Sequence, residues 1–131
     1  MHKPLDEQEL REYSSIVLAY VGDAVFELMV RTHLVKAGNR KVKNLHRDAV
    51  AIVKAESQAR VIRQMFDSLS EAEQEIVMRG RNAKSTAPRH VDVQEYRMST
   101  GFEALLGYLY LKGDEERLHT LVNMALATED E

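Results

Sequence analysis

Apolar side chains recur along this chain at intervals of three, four and seven, without sustained strand-like alternation and with only two prolines, Pro4 and Pro88. That pattern predicts an all-α fold of six to seven helices. The strongest segment runs from Ser14 to Lys36, where Ile16, Tyr20, Val21, Ala24, Leu28 and Val35 mark an apolar stripe; it would form a rod of about 35 Å. Gly38 and Asn39 suit a left-handed stop, and Asn44 can cap a helix through Leu45, Val50, Ile52 and Val53. Ser57 to Phe66 continues as a further helix.

Ser70 and Glu73 have the spacing of a capping box, in which serine oxygen and glutamate satisfy each other's backbone N–H groups, so a short helix is expected from Glu71 to Arg79. Gly80 to Val91 holds the second proline, small polar residues and no acid, and reads as the main loop. Asp92 with Glu95 opens a helix through Phe102, Leu105, Leu106, Leu109 and Leu111 that Gly113 ends. Asp114 then caps a last helix through Leu118, Leu121 and Met124. No repeat or linker divides the chain, which reads as one domain over residues 1–131, with 1–13 as lead-in and 128–131 as a frayed acidic tail.

Composition narrows the chemistry. At 131 residues the chain suits a single core. It has no apolar run able to span a bilayer and no secretory h-region, so no membrane partner and a cytoplasmic location are expected. With no cysteine, disulfides, thiolate metal sites and a cysteine nucleophile are excluded, and any metal must be held by oxygen or imidazole. The net charge of -3 argues against a nucleic-acid partner, but its distribution does not. Residues 31–60 hold eight Lys/Arg against two Asp/Glu, whereas residues 91–131 hold three against nine. A basic middle between acidic ends suits a polyanion-binding face, and equally a set of solvated helix faces.

Two acids stand out because their neighbours belong in a core. Asp23 lies mid-helix within Leu18-Ala-Tyr-Val-Gly-Asp-Ala-Val-Phe, where a buried carboxylate needs a compensating partner. Gly22 before it is a poor helix former, which points to close approach by another backbone or a ligand. Alternatively, Gly22 ends one helix and Asp23 caps the next. Glu27, one turn on, can share that face or simply be exposed. Glu103 is the only acid between Arg97 and Gly113, and it is either a second site carboxylate or part of a solvent-facing stripe. Two carboxylates from separate helices are a common minimum for Mg²⁺, which keeps several waters and binds phosphate oxygens besides. Mn²⁺ can take its place.

Arg79, Arg81, Lys84 and Arg89, with Asn82, Ser85 and Thr86 among them, combine cations with amide and hydroxyl donors. That inventory suits phosphates and ribose 2′-hydroxyls of RNA, although a merely solvated loop has the same composition. His46 and His90 are lone histidines, and no pair has metal-ligand spacing. No nucleotide-binding glycine loop or nucleophile elbow is present.

Tyr20-Val-Gly-Asp23-Ala-Val resembles the Leu-Gly-Asp-Ala-Val core of the ribonuclease III signature, and Phe102-Glu-Ala-Leu-Leu-Gly107 resembles that family's second motif, Phe-Glu-Ala-Leu-Ile-Gly. Arg79-Gly-Arg-Asn82 and Ser99-Thr-Gly-Phe-Glu-Ala-Leu-Leu-Gly-Tyr-Leu-Tyr-Leu111 look like the Mini-ribonuclease III branch, and the likeness runs from Ser14 to Ala127. The resemblance implies Mg²⁺-dependent hydrolysis of double-stranded RNA, with Asp23 and Glu103 as catalytic, metal-binding carboxylates and the 80–91 loop on the RNA. It further implies a homodimer that matures large-subunit (23S) ribosomal RNA precursors, with a ribosomal protein on the substrate as a further candidate partner. Where full-length members carry additional acids, this chain has Ile16, Ala19 and Thr100, so water, Ser99, Thr100 or Glu27 is expected to complete the metal shell. No stretch reads as a double-stranded-RNA-binding domain, so affinity should come from the basic surface and fall by about 0.7 to 0.9 log units per log salt for each phosphate neutralised. The competing reading is a non-catalytic RNA-binding or ribosome-associated protein with this fold; a helical partner-binding domain without RNA is a third.

Overall fold

The computed structural model describes residues 1–129. Among these described residues seven α-helices follow one another: α1 (Glu7–Leu10), α2 (Ser15–Ala37), α3 (Val42–Val53), α4 (Ala55–Met65), α5 (Glu71–Asn82), α6 (Val93–Lys112) and α7 (Glu115–Glu129), with a 3₁₀ turn at Phe66–Ser68 between α4 and α5. The all-α expectation holds among the described residues. Of the acidic tail expected at 128–131, residues 130 and 131 lie outside the described residues, and 128 and 129 still belong to α7.

Most helix starts are fixed by local side chains. Ser14 Oγ accepts from the Val17 N–H at 3.2 Å, Asp92 Oδ1 from Glu95 at 3.0 Å, and Asp114 Oδ1 from Arg117 at 3.2 Å. The Ser70/Glu73 capping box closes in both directions, at 3.1 and 2.9 Å. Each satisfies backbone donors that the first turn of a helix leaves unpaired. A further capping box, Asp6 with Glu9, builds α1 inside what the sequence reads as lead-in.

Three expectations are corrected, and one point that periodicity leaves open is settled. Asn44 is not a cap: α3 begins at Val42, and Asn44 lies inside it with its N–H on the Lys41 carbonyl at 2.9 Å. Gly38 ends α2 in extended backbone, φ 169° and ψ 145°, so no left-handed stop is used; Gly113, at φ 83°, is left-handed as expected. Helix α5 runs on through Gly80 to Asn82, so the loop starts later than Gly80. Lastly, the apolar stripe of α2 faces outward at Ile16, Tyr20, Leu28 and Val35, and the buried side is Leu18, Ala19, Gly22, Phe26 and Val30. Both sets have helical spacing, so periodicity alone could not choose between them.

The choice is made by α6, which packs against α2, α5 and α4 at the centre of the fold. Helices α2 and α6 run in opposite directions and touch backbone to backbone: a Cβ on Gly22 would land on the Glu103 carbonyl, and one on Gly107 on the Leu18 carbonyl. Helix α5 makes a similar approach at Gly80, where a Cβ would lie 2.8 Å from Gly101 Cα. Around these crossings Phe26 meets Phe102 edge to face at 5.2 Å and 87°, within a core that includes Val30, Ile62, Leu105 and Leu121. Burying each such side chain stabilises the fold by about 1.5 to 3 kcal/mol. The N-terminus of α7 is tied to that of α5 by a two-toothed pair, Arg117 Nε and Nη2 on Glu73, both at 2.7 Å.

Candidate active site

The glycine contact between α2 and α6 fixes where the two isolated acids fall. Gly22 lies against the peptide of Glu103, and the next residue along α2 is Asp23, so the two carboxyl groups leave their helices beside one crossing point. Asp23 is exposed and Glu103 half-buried. They are close enough to share a hydrogen bond. Burial pushes the Glu103 carboxyl up to about 9, and the hydrogen bond to Asp23 and the charge of Asp23 push the same way, while Gln58 opposes them weakly. The close-backbone reading of Gly22 is therefore correct. Asp23 does not start a helix; it lies within α2.

The third member of the cluster comes from α4. Gln58 is buried, donates from Nε2 to the Val53 carbonyl at 2.7 Å and lies 3.4 Å from Glu103 Oε2 by the same nitrogen. Its Oε1 is buried without a partner. The sequence offered a signal that went unread: Gln58 occupies the apolar phase of α4 shared by Val61, Ile62 and Met65, where a polar residue needs an explanation.

The donor set suits a hard divalent cation. Ionised together, two carboxylates side by side, one of them desolvated, would repel each other, which is why Glu103 is raised; a cation between them would relieve both penalties. Among the described residues no group of three or more His, Asp or Glu comes together, so protein carboxylates could fill only part of a shell.

Other candidates lie elsewhere or are engaged. Glu27 pairs with Arg31 at 2.9 Å. Ser99 and Thr100 are buried and both donate to the Tyr96 carbonyl, at 2.7 and 3.0 Å, which commits their protons to their own helix. Arg79, Arg81 and Asn82 stand on the last turn of α5, with Arg79 paired to Glu75 at 2.9 Å. Two residues apart on a helix, Arg79 and Arg81 point to opposite sides. Arg79 borders a groove with Arg11 and Tyr13, and Arg81 borders another with Arg63 and Met98. Lys84, Thr86 and Arg89 are exposed on the following loop and Ser85 is half-buried. The run that reads as one basic loop is thus a helix end followed by a loop.

A fold of helices crossing at glycine pairs, with an aspartate and a glutamate at the crossing, defines a class. The profile of the ribonuclease III domain matches residues 16–114, and the chain belongs to that family of endoribonucleases. Its similarity is to the Mini-ribonuclease 3 proteins in particular. It is 47% identical over 128 residues to that of Thermoanaerobacter sp. (strain X514), covering 97% of this chain and 90% of the relative. To that of Symbiobacterium thermophilum it is 48% identical over 111 residues, covering 84% and 85%. A crystal structure of a protein from Fusobacterium nucleatum superposes with a TM-score of 0.84 at 32% identity, covering 92% of this chain and 98% of that one.

Proposed function

We propose that this endoribonuclease hydrolyses phosphodiester bonds of double-stranded RNA with Mg²⁺ held by Asp23 and Glu103. The observation that carries the reading is the pairing of these two acids at the α2–α6 crossing, with Glu103 raised to about 9. A structural role has no use for such a pair, since it destabilises the metal-free fold.

A divalent cation, when bound, supplies the Lewis acidity that polarises a phosphodiester and activates water for attack. The chain's own groups do the rest. Asp23, exposed, offers its carboxylate toward the substrate side, while Glu103 gives a second oxygen ligand from a partly dry position where its charge acts more strongly. Both are fixed to rigid helices, so little reorganisation is needed at the moment of reaction. Arg81, Asn82, Lys84, Thr86 and Arg89 supply donors for phosphates and 2′-hydroxyls; Arg79, on the opposite side of α5 and paired to Glu75, and Ser85, whose hydroxyl is buried, do not join them in this arrangement. An A-form duplex hides its base edges in a narrow major groove, so these contacts read shape and backbone.

The outward apolar face of α2 supports a homodimer. Tyr20 is 80% exposed, beside exposed Ile16, Val17 and Leu28; an apolar stripe of this kind, next to Asp23, is suited to burial by a second copy. The natural substrate inferred from the family is a 23S ribosomal RNA precursor in the cytoplasm, carrying its ribosomal protein.

The test is incubation of a labelled RNA duplex with the protein and Mg²⁺, beside EDTA and Asp23→Asn controls. Cleavage is expected only with native protein and metal. Duplex that is shifted in a gel yet intact in every lane would favour a non-catalytic RNA binder and end the hydrolytic reading.

A further inference from the structure

One buried polar side chain beside the carboxyl pair has no task in the reading above. Gln58 is 3% exposed and lies in the first turn of α4, on the side that Val61, Ile62 and Met65 bury. A buried amide is unfavourable unless its donors and acceptor are met, and a leucine or methionine would fill similar space without that demand. Its hydrogen bonds are therefore informative. Nε2 donates to the Val53 carbonyl at 2.7 Å, which also fixes the orientation of the amide, since the reversed group would set two carbonyl oxygens face to face. The remaining donor capacity of Nε2 lies toward Glu103 Oε2, 3.4 Å away. Oε1 finds no partner at all. Packing would not favour an amide here, and the fold does not satisfy it completely; beyond closing the Val53 carbonyl at the end of α3, the amide gains contact with one of the two site acids.

We propose that Gln58 is a positioning residue for the cleavage reaction: anchored on the Val53 carbonyl at the α3–α4 junction, its amide holds the Glu103 carboxyl in place beside Asp23. It touches neither substrate nor reacting atoms and acts through Glu103. Such partners of metal-binding carboxylates fix ligand orientation, and their loss typically lowers metal affinity or activity by about 10- to 100-fold. The inference rests on the assignment of Asp23 and Glu103 as metal ligands.

Mn²⁺ binding, followed by electron paramagnetic resonance in the absence of RNA, tests it on four proteins: native, Asp23→Asn, Gln58→Leu and Ser57→Ala. Ser57 provides the structural control. It is equally buried, and its Oγ donates to the Ala51 carbonyl at 2.7 Å at the same junction, without reaching the acids. Ser57→Ala should lower Tm yet keep Mn²⁺ affinity within about twofold, whereas Gln58→Leu should weaken it about 10- to 100-fold and lower kcat with KM for the duplex little changed. Gln58→Met, unbranched and of similar length, takes its place should the leucine variant not fold. Native-like Mn²⁺ affinity in the Gln58 variants, or an equal loss in Ser57→Ala, would overturn the proposal. If native protein and Asp23→Asn bind Mn²⁺ alike, the assignment of the acid pair itself fails, which is a distinguishable result.

Discussion

Replacing Glu103 with glutamine should make the metal-free protein more stable, and by an amount that depends on pH. The folded carboxyl titrates at about 9 against 4.5 for the ordinary group, for the reasons of burial first and Asp23 second. A group whose folded value is raised gives its full contribution below the unfolded value and loses it as pH rises through the folded one. Between those limits each pH unit removes about 1.4 kcal/mol, hence about 3 kcal/mol by pH 7, and about 2 kcal/mol if solvent reaching this half-buried group screens part of it. Glu103→Gln keeps the shape and removes the titration. In EDTA, urea unfolding of the native protein should show falling midpoints from about pH 5 to about pH 9, while the variant stays nearly flat; the two should coincide near the acid end. Mg²⁺ should raise the midpoint of the native protein alone, because binding to the folded state stabilises it by mass action. Equal stability of the two proteins at about pH 8 in EDTA would refute the argument, since it would mean that Glu103 is neither desolvated nor crowded by Asp23.

Gly22→Ala gains about 1 kcal/mol of helix propensity but drives a Cβ into the Glu103 carbonyl, a rigid backbone group, so a net loss of about 2 kcal/mol or more is expected in urea melts; a stabilised variant would contradict the crossing geometry. Arg117→Met strands the buried Glu73 carboxylate and should cost about 2 to 3 kcal/mol. Arg117 holds Glu73 below its usual value, so this contribution is present above about pH 4.5 and is lost as pH falls through the lower folded value; the variant's acid limb should be flatter than the native one. Tyr20→Glu should shift sedimentation from dimer to monomer while leaving helical content intact, and a native dimer with this substitution would remove α2 from the interface. Arg81→Ala should weaken duplex binding and reduce the salt slope by about one unit, and an unchanged slope would take Arg81 off the RNA.

How much of this was legible follows the range of the interactions concerned. The Ser70/Glu73 box, the Asp92 and Asp114 caps and the left-handed Gly113 are settled within four or five residues, and the sequence rules read them correctly. The inward face of α2 stays open to sequence rules because both of its apolar sets have helical spacing; Gly22 and Gly107, distant in sequence, decide it by meeting. Gly80 reads as the start of a loop for the same reason. Inside α5 its lack of a side chain serves the contact with Gly101, which no local rule contains. Asp23 and Glu103 could be singled out because an acid among core residues is anomalous wherever it lies. Gln58 was equally anomalous on the apolar side of α4, but an uncharged amide attracts less notice than a carboxylate.

The crossing of α2 and α6 thus has two consequences that cannot be separated. Removing side chains at Gly22 and Gly107 lets the backbones touch, and that contact, surrounded by Phe26, Phe102 and Leu106, is where the fold is most densely determined. The helix segments that carry the acids are held together by a packing energy of several kcal/mol from these side chains, which exceeds the cost of about 3 kcal/mol worked out for ionising Glu103 at pH 7. The backbones that carry them cannot move apart without giving up core contacts. Two acids whose backbones the surrounding core over-determines form a pre-organised site for positive charge: without a cation Glu103 keeps its proton at neutral pH, and a bound cation favours its ionised form. On a flexible loop the same two carboxylates would swing away from each other and lose the property on which the chemistry depends.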